Sequence, residues 1–222
     1  MIGLDLTVPA NGAIGILCFG AHSDDIEIGA GATILELSHR YPNARIAWHV
    51  LAADGIREDE ARESAAYFTR GFANAEVNVH GLIDGAFPSQ LQVIKQVMEQ
   101  VKETFSADIV FTHYRGDSHQ DHRTVSDVTW QTFRDHLILE YEIPKYDGDM
   151  GAPNAFCPIT DLLKNQKLEA LHKNFSSQRD KDWFDRDAFS ALMRIRGLEC
   201  RSASGYAEAF YSRKAVLFSD GV

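Results

Sequence analysis

The sequence predicts an α/β protein, a Rossmann-like three-layer sandwich in which a mainly parallel sheet lies between helices. Three observations predict it. Short apolar runs alternate with helix-length segments along residues 14–136, the order that makes right-handed βαβ units. Two clusters of ligand-type side chains each follow directly on a strand-like run, at the edge where open α/β sheets bind ligands. The chain, 222 residues long, suffices for one large core, so a single domain over 1–222 is expected.

Taken in order, residues 14–19 form a short apolar run that reads as a buried strand. Ala21-His22-Ser23-Asp24-Asp25 then makes a turn into a helix over residues 27–39. Residues 45–51 read as a second strand, 52–57 as a loop and 58–72 as a helix. Alternation over 76–80 marks a third strand, and Asp84-Gly85 a turn. Leu91, Ile94, Met98, Val101 and Phe105 recur at three and four residues, an amphipathic helix. Residues 108–112 are a fourth strand, 113–121 a loop and 123–136 a helix. After Leu137 the pattern loosens. The segment 141–158 holds three of the six prolines and is expected to be a long functional loop or a broken strand on the substrate side. Helices are expected over 162–175 and 183–195, and a last strand over 214–218.

Composition narrows the partners. Net charge is −10, from 22 basic and 32 acidic side chains. That argues against nucleic acid, which requires a basic footprint, and leaves room for a small substrate. Cys18, Cys157 and Cys200 form no Cys-x-x-Cys pair, as expected of a reducing compartment. No apolar run approaches a membrane span, and the first dozen residues show no secretory pattern. A cytoplasmic protein without membrane insertion is expected, with self-association left open.

The second cluster, His119-Gln120-Asp121-His122, follows the fourth strand. In a parallel sheet the loops after successive strands emerge on one edge, so the clusters can converge. Two imidazoles and a carboxylate around a divalent ion, with one position left for water, is the catalytic pattern for zinc. His22 and Asp25 can face one ion and His122 can supply the third ligand. Asp24 then stands free beside the ion, where a carboxylate accepts a proton from water.

These clusters resemble the signatures of the LmbE / PIG-L family of metal-dependent de-N-acetylases, Ala-His-Pro-Asp-Asp and His-Pro-Asp-His. The resemblance covers roughly residues 14–140, with a weaker echo at Ala207-Glu208-Ala209-Phe210. It implies Zn2+ or another divalent ion on His22, Asp25 and His122, and Asp24 as general base. It also implies His119 facing the developing oxyanion and Asp121 orienting a neighbouring histidine. The substrate implied is a small N-acetylated amino sugar or sugar conjugate, and a protonated His119 would stabilise the tetrahedral state. Both signature prolines are absent, replaced by Ser23 and Gln120. Where the family often has an aromatic residue, this chain has Asp117 and Ser118, leaving Tyr114 as the nearest tyrosine.

Other residues carry two readings. Arg57 and Arg62, with Glu63, either grip the substrate, as in family members, or lace an exposed helix with charge pairs. Asp84 is either a substrate-side acid or a turn residue, and Tyr141, Tyr146 and Phe156 either face a sugar or anchor their loop. Gly29-Ala30-Gly31 lacks the third glycine of a dinucleotide fingerprint, so close helix–sheet packing accounts for it. His113, at a strand end, is a candidate to support the ligands. Two alternatives to the deacetylase stand: a metal-dependent phosphoesterase, which needs a second ion and more carboxylates, and a non-catalytic sugar- or nucleotide-binding module.

Overall fold

β1 (Gly15–Gly20) is buried along its whole length, as a strand covered on both faces must be. Its side chains alternate between two cores. Ile16 and Cys18 join one cluster, Leu17 and Phe19 the other. The computed structural model describes residues 3–6 and 13–216. From β1 the chain runs through α1 (Asp25–Arg40), β2 (Arg45–Val50), α2 (Ile56–Thr69), β3 (Asn74–Val79), α3 (Leu91–Thr104), β4 (Ile109–His113), α4 (Gln120–Thr132) and β5 (Leu137–Tyr141). It continues as β6 (Ala155–Ile159), α5 (Asp161–Asn174), α6 (Arg186–Cys200) and β7 (Tyr206–Tyr211).

The sheet order is β3-β2-β1-β4-β5-β7-β6. The first five of these are mutually parallel, while β7 runs antiparallel to both β5 and β6. Side chains of α1, α2, α5 and α6 fill the core on one face, and those of α3 and α4 the core on the other. The expected three-layer sandwich is present. Strand order reverses between β1 and β4, which creates the crevice where such folds bind ligands. The loops carrying both clusters flank that crevice.

The glycines of α1 permit its close approach to its neighbours. A Cβ on Gly29 would lie 2.2 Å from Cδ2 of Tyr141, and one on Gly31 2.8 Å from Cε1 of Phe68. Tyr141 is therefore an anchor, its hydroxyl donating to the Phe19 carbonyl at 2.6 Å. At mid-helix, Glu208 of β7 accepts the N–H groups of Ala32 and Thr33, while Lys167 of α5 donates to the Ile28 carbonyl and to Glu208. The pair inserts among backbone groups that satisfy one another in an uninterrupted helix.

Three expectations are corrected here. The last described strand is β7, not residues 214–218. Lys214–Val216 is irregular, and Leu217 and Phe218 lie outside the described residues. The segment 141–158 begins in β5 and ends in β6, so its irregular part is 142–154. The helix expected at 183–195 starts later and ends later, as α6; Asp185 accepts the N–H of Ala188 at 2.8 Å and so sets its first turn.

Candidate metal centre

Both clusters meet at the crevice. The backbone N–H of Ala21 donates to Nε2 of the buried His113 at 2.9 Å, seating the β1 loop on the end of β4. His22 donates its N–H to Oδ2 of Asp25 at 2.6 Å, which turns that carboxylate back towards the loop. His119 caps α4, and Asp121 and His122 sit in its first turn. As a result, Nδ1 of His22 lies 3.2 Å from Nε2 of His122 and 3.3 Å from Oδ2 of Asp25. Nε2 of His122 lies 3.6 Å from Oδ1 of Asp25. Tetrahedral ligands at zinc distances stand about 3.3–3.4 Å apart, so this donor set fits a divalent cation. Among the described residues, the groups whose donor atoms stand close enough to hold an ion are His22 with His119 and His122, Asp25 with His113 and His122, and His22 with Asp84 and Asp121.

The outer nitrogens are held as metal-binding histidines require. Nε2 of His22 faces Oδ2 of Asp121 at 3.2 Å and Oδ1 of Asp84 at 3.1 Å. Nδ1 of His122 faces Oδ2 of Asp117 at 2.9 Å. Partners of this kind favour a proton on the outer nitrogen, which frees the inner nitrogen for an ion. Asp121 also accepts the N–H groups of Gly85 and Phe87, at 2.6 and 3.1 Å, so it orients both His22 and the loop after β3.

Asp24 is buried, and its Oδ2 has no hydrogen-bond partner among the described residues. Burial, reinforced by the Asp25 charge, raises its pKa to about 6 against the pull of Arg57 and His22. Burial also acts to raise Asp25, but His122, His113 and His22 hold it well below the usual carboxylate range. Adjacent carboxylates thus differ in kind. One is committed to the imidazoles, and the other keeps its Oδ2 free among the described residues.

His119 accepts the N–H of Asp121 on Nδ1 at 3.2 Å, which leaves its proton on Nε2. Burial, with His122 and His22 nearby, lowers its pKa.

The remaining sequence candidates divide. Arg57 reaches the site, its Nε donating to Ser23 Oγ at 3.1 Å, one Nη lying 3.6 Å from Asp24 Oδ1 and the other 2.9 Å from Asp84 Oδ2. Asp84 is half exposed at the mouth, and its hydrogen bond to His22, together with Arg57, holds its pKa far below the usual range. Arg62 does not reach the site; it pairs with Glu58 on the exposed face of α2. Tyr114 stacks on Tyr211 with ring centroids 3.9 Å apart.

The residues that replace the signature prolines both make cross-loop bonds. Ser23 accepts from Arg57, and Gln120 donates to the Gly85 carbonyl. Sequence reasoning missed Asp117, although an acid five residues before a candidate ligand, across a helix start, is a readable spacing. It missed Lys145 as well, which no local pattern marks. Beside Lys145 lies an open groove of about 260 Å³ lined by Pro144, Lys145, Tyr146, Asp182, Trp183 and Ala188.

A family profile described as GlcNAc-PI de-N-acetylase, PIG-L, matches residues 17–133, the span that contains both loops. The chain belongs to the PIG-L de-N-acetylase family. It is 30% identical over 179 residues to the uncharacterized deacetylase YaiS of Escherichia coli strain K12, covering 75% of this chain and 94% of that one. Among solved structures, the N,N'-diacetylchitobiose deacetylase of Pyrococcus horikoshii matches with a TM-score of 0.70 at 22% identity, over 93% of this chain and 86% of that one. GalB of Pseudomonas putida KT2440, a 4-carboxy-2-hydroxymuconate hydratase, matches with a TM-score of 0.69 at 15% identity, over 94% and 100%. The PIG-L fold thus also carries a hydratase, so the reaction must be argued from the site. No helix among the described residues is long and apolar enough to cross a membrane.

Proposed function

We propose that this PIG-L family member is a zinc-dependent amidase that removes an N-acetyl group from an amino sugar or sugar conjugate. The observation that carries the reading is the unpartnered, buried Oδ2 of Asp24 beside the His22, Asp25 and His122 donor set. A divalent ion bound by those three residues supplies a Lewis acid and lowers the pKa of water. Asp24 takes one proton from the attacking water as its oxygen bonds to the amide carbon. The Nε2–H of His119 donates to the carbonyl oxygen as charge gathers there. As the C–N bond breaks, the neutral Asp24 returns its proton to the amine nitrogen, and the acetic acid formed gives up its remaining proton to the free amine or solvent and leaves as acetate. Arg57 and the half-exposed Asp84 offer a donor and an acceptor to sugar hydroxyls at the mouth. The acetylated disaccharide named for the Pyrococcus horikoshii neighbour supports this substrate class.

A phosphoesterase reading draws on a second donor group, Nε2 of His22 with Asp84 and Asp121. Both oxygens of Asp121 already accept backbone N–H groups, which disfavours a second ion there. The test is a panel of N-acetylated sugars, glycosides and nucleotide-linked sugars, read by amine release with and without chelator, together with metal analysis. One zinc per chain and chelator-sensitive release are expected. Asp24→Asn and His119→Ala should keep the zinc and lose at least about a hundredfold in kcat/KM. Two ions with phosphate release would favour the phosphoesterase, and sugar binding without metal or turnover the binding module. Full activity in either variant would remove that residue from the mechanism.

A further inference from the structure

We infer that Lys145 and Asp117 form a positioning pair through which the substrate-side segment sets the grip of the metal centre. The inference rests on the metal reading above. Asp117 is buried and its carboxylate is shared three ways. Oδ2 takes Nδ1 of His122 and Nζ of Lys145, each at 2.9 Å, and Oδ1 accepts the N–H of His119 at 2.7 Å. Asp149, four residues beyond Lys145, accepts from Lys145 Nζ at 2.8 Å and from the N–H of Ser118 at 2.5 Å. Two residues of the 142–154 segment thus clasp the loop that carries His119 and His122. The segment's other side is fastened to α6 and β7. Arg196 donates to Glu142 and to the Gly151 carbonyl, and the Tyr211 hydroxyl donates to Glu142.

The physical consequence follows from what Asp117 does. Its oxygen holds the outer nitrogen of His122, so the angle of that carboxylate sets where the inner lone pair points. Lys145 sits on the same oxygen and limits the carboxylate to one orientation. Lys145 also lines the groove with Tyr146 and Trp183. Sites coupled in this way influence each other equally in both directions: a seated segment tightens metal binding, and bound metal seats the segment. Asp117 stands where the resemblance leads one to expect an aromatic residue.

Zinc affinity by chelator competition tests the pair, with thermal stability and the rate of proteolysis within 142–154 measured on the same full-length proteins. Asp117→Asn should weaken zinc by about 10–100-fold, the usual effect of losing such a partner. Lys145→Met should weaken it by less than Asp117→Asn but measurably, and Lys145→Arg should recover part of the loss. Zinc should slow cleavage of the segment in the native chain and not in Lys145→Met. If the native chain binds no zinc, the metal reading falls and this inference with it. If the native chain binds zinc, His122→Ala loses it and Lys145→Met binds as tightly as native, only the inference falls. A lowered Tm in Lys145→Met with unchanged zinc affinity would make Lys145 a merely structural tie and overturn it also.

Discussion

The parallel half of the sheet and its antiparallel flank are held together differently. In β1 and β2 the strands are mostly apolar and buried on both faces, with His49 as the buried polar exception. In β5 and β7 a carboxylate sits buried within the strand. Glu140 accepts from Trp130 Nε1, Arg213 and the N–H of Arg115, and Glu208 from Lys167 and the N–H groups of Ala32 and Thr33. One half is stabilised by burying apolar area. The other depends on charges being fully paired, which adds little while intact and is destabilising when one partner is lost.

The largest test of that contrast is Lys167→Met. Losing one member of a buried pair costs about 3–5 kcal/mol, to be read by chemical denaturation, with zinc affinity unchanged because Lys167 touches none of the ligands. A loss below about 1 kcal/mol, the range of an exposed pair, would erase the distinction between the two halves.

Next in size is a buried polar group inside the parallel half. Burial, with His80 adjacent, lowers the His49 pKa to about 3, below the ordinary value of about 6.5. The unfolded chain therefore binds a proton first on acidification. The stability tied to a neutral His49 is complete above pH 6.5 and lost progressively as pH falls towards 3. From pH 7 to pH 5 this amounts to about 2 kcal/mol, and a His49→Gln variant should show a flatter acid slope of stability by that amount.

The smallest effect is expected at the crevice. Gln120 is the first residue of α4, a position where proline is well tolerated. Gln120→Pro gives up the bond to the Gly85 carbonyl and restores the signature residue. Its change in stability should stay within about 1 kcal/mol, measured by denaturation, with zinc retained.

The same contrast explains what could be read in advance. Strands β1, β2 and β4 were visible because a mainly apolar run signals burial on both faces, and β3 because its residues alternate. The two ligand clusters were visible because a parallel sheet brings strand ends to one edge. In β5 and β7, Glu140 and Glu208 interrupt the apolar run, so periodicity loses the strands, and the final strand was expected beyond its true place. At the site, the residues that the sequence groups around His22 and His122 do come together in the fold. Arg57 was half legible, since spacing alone does not separate it from Arg62, and one turned to the centre while the other turned to Glu58. Asp117 and Lys145 depend on a long-range approach of the 142–154 segment that no local pattern encodes.

The fastening of that segment by Arg196 and Tyr211 bears on redesign. A graft of residues 142–154 from a relative would arrive without its moorings, because they reside in the distant C-terminal part of the chain. Exchange of that segment between relatives therefore calls for moving it together with α6 and β7, as one transplanted block.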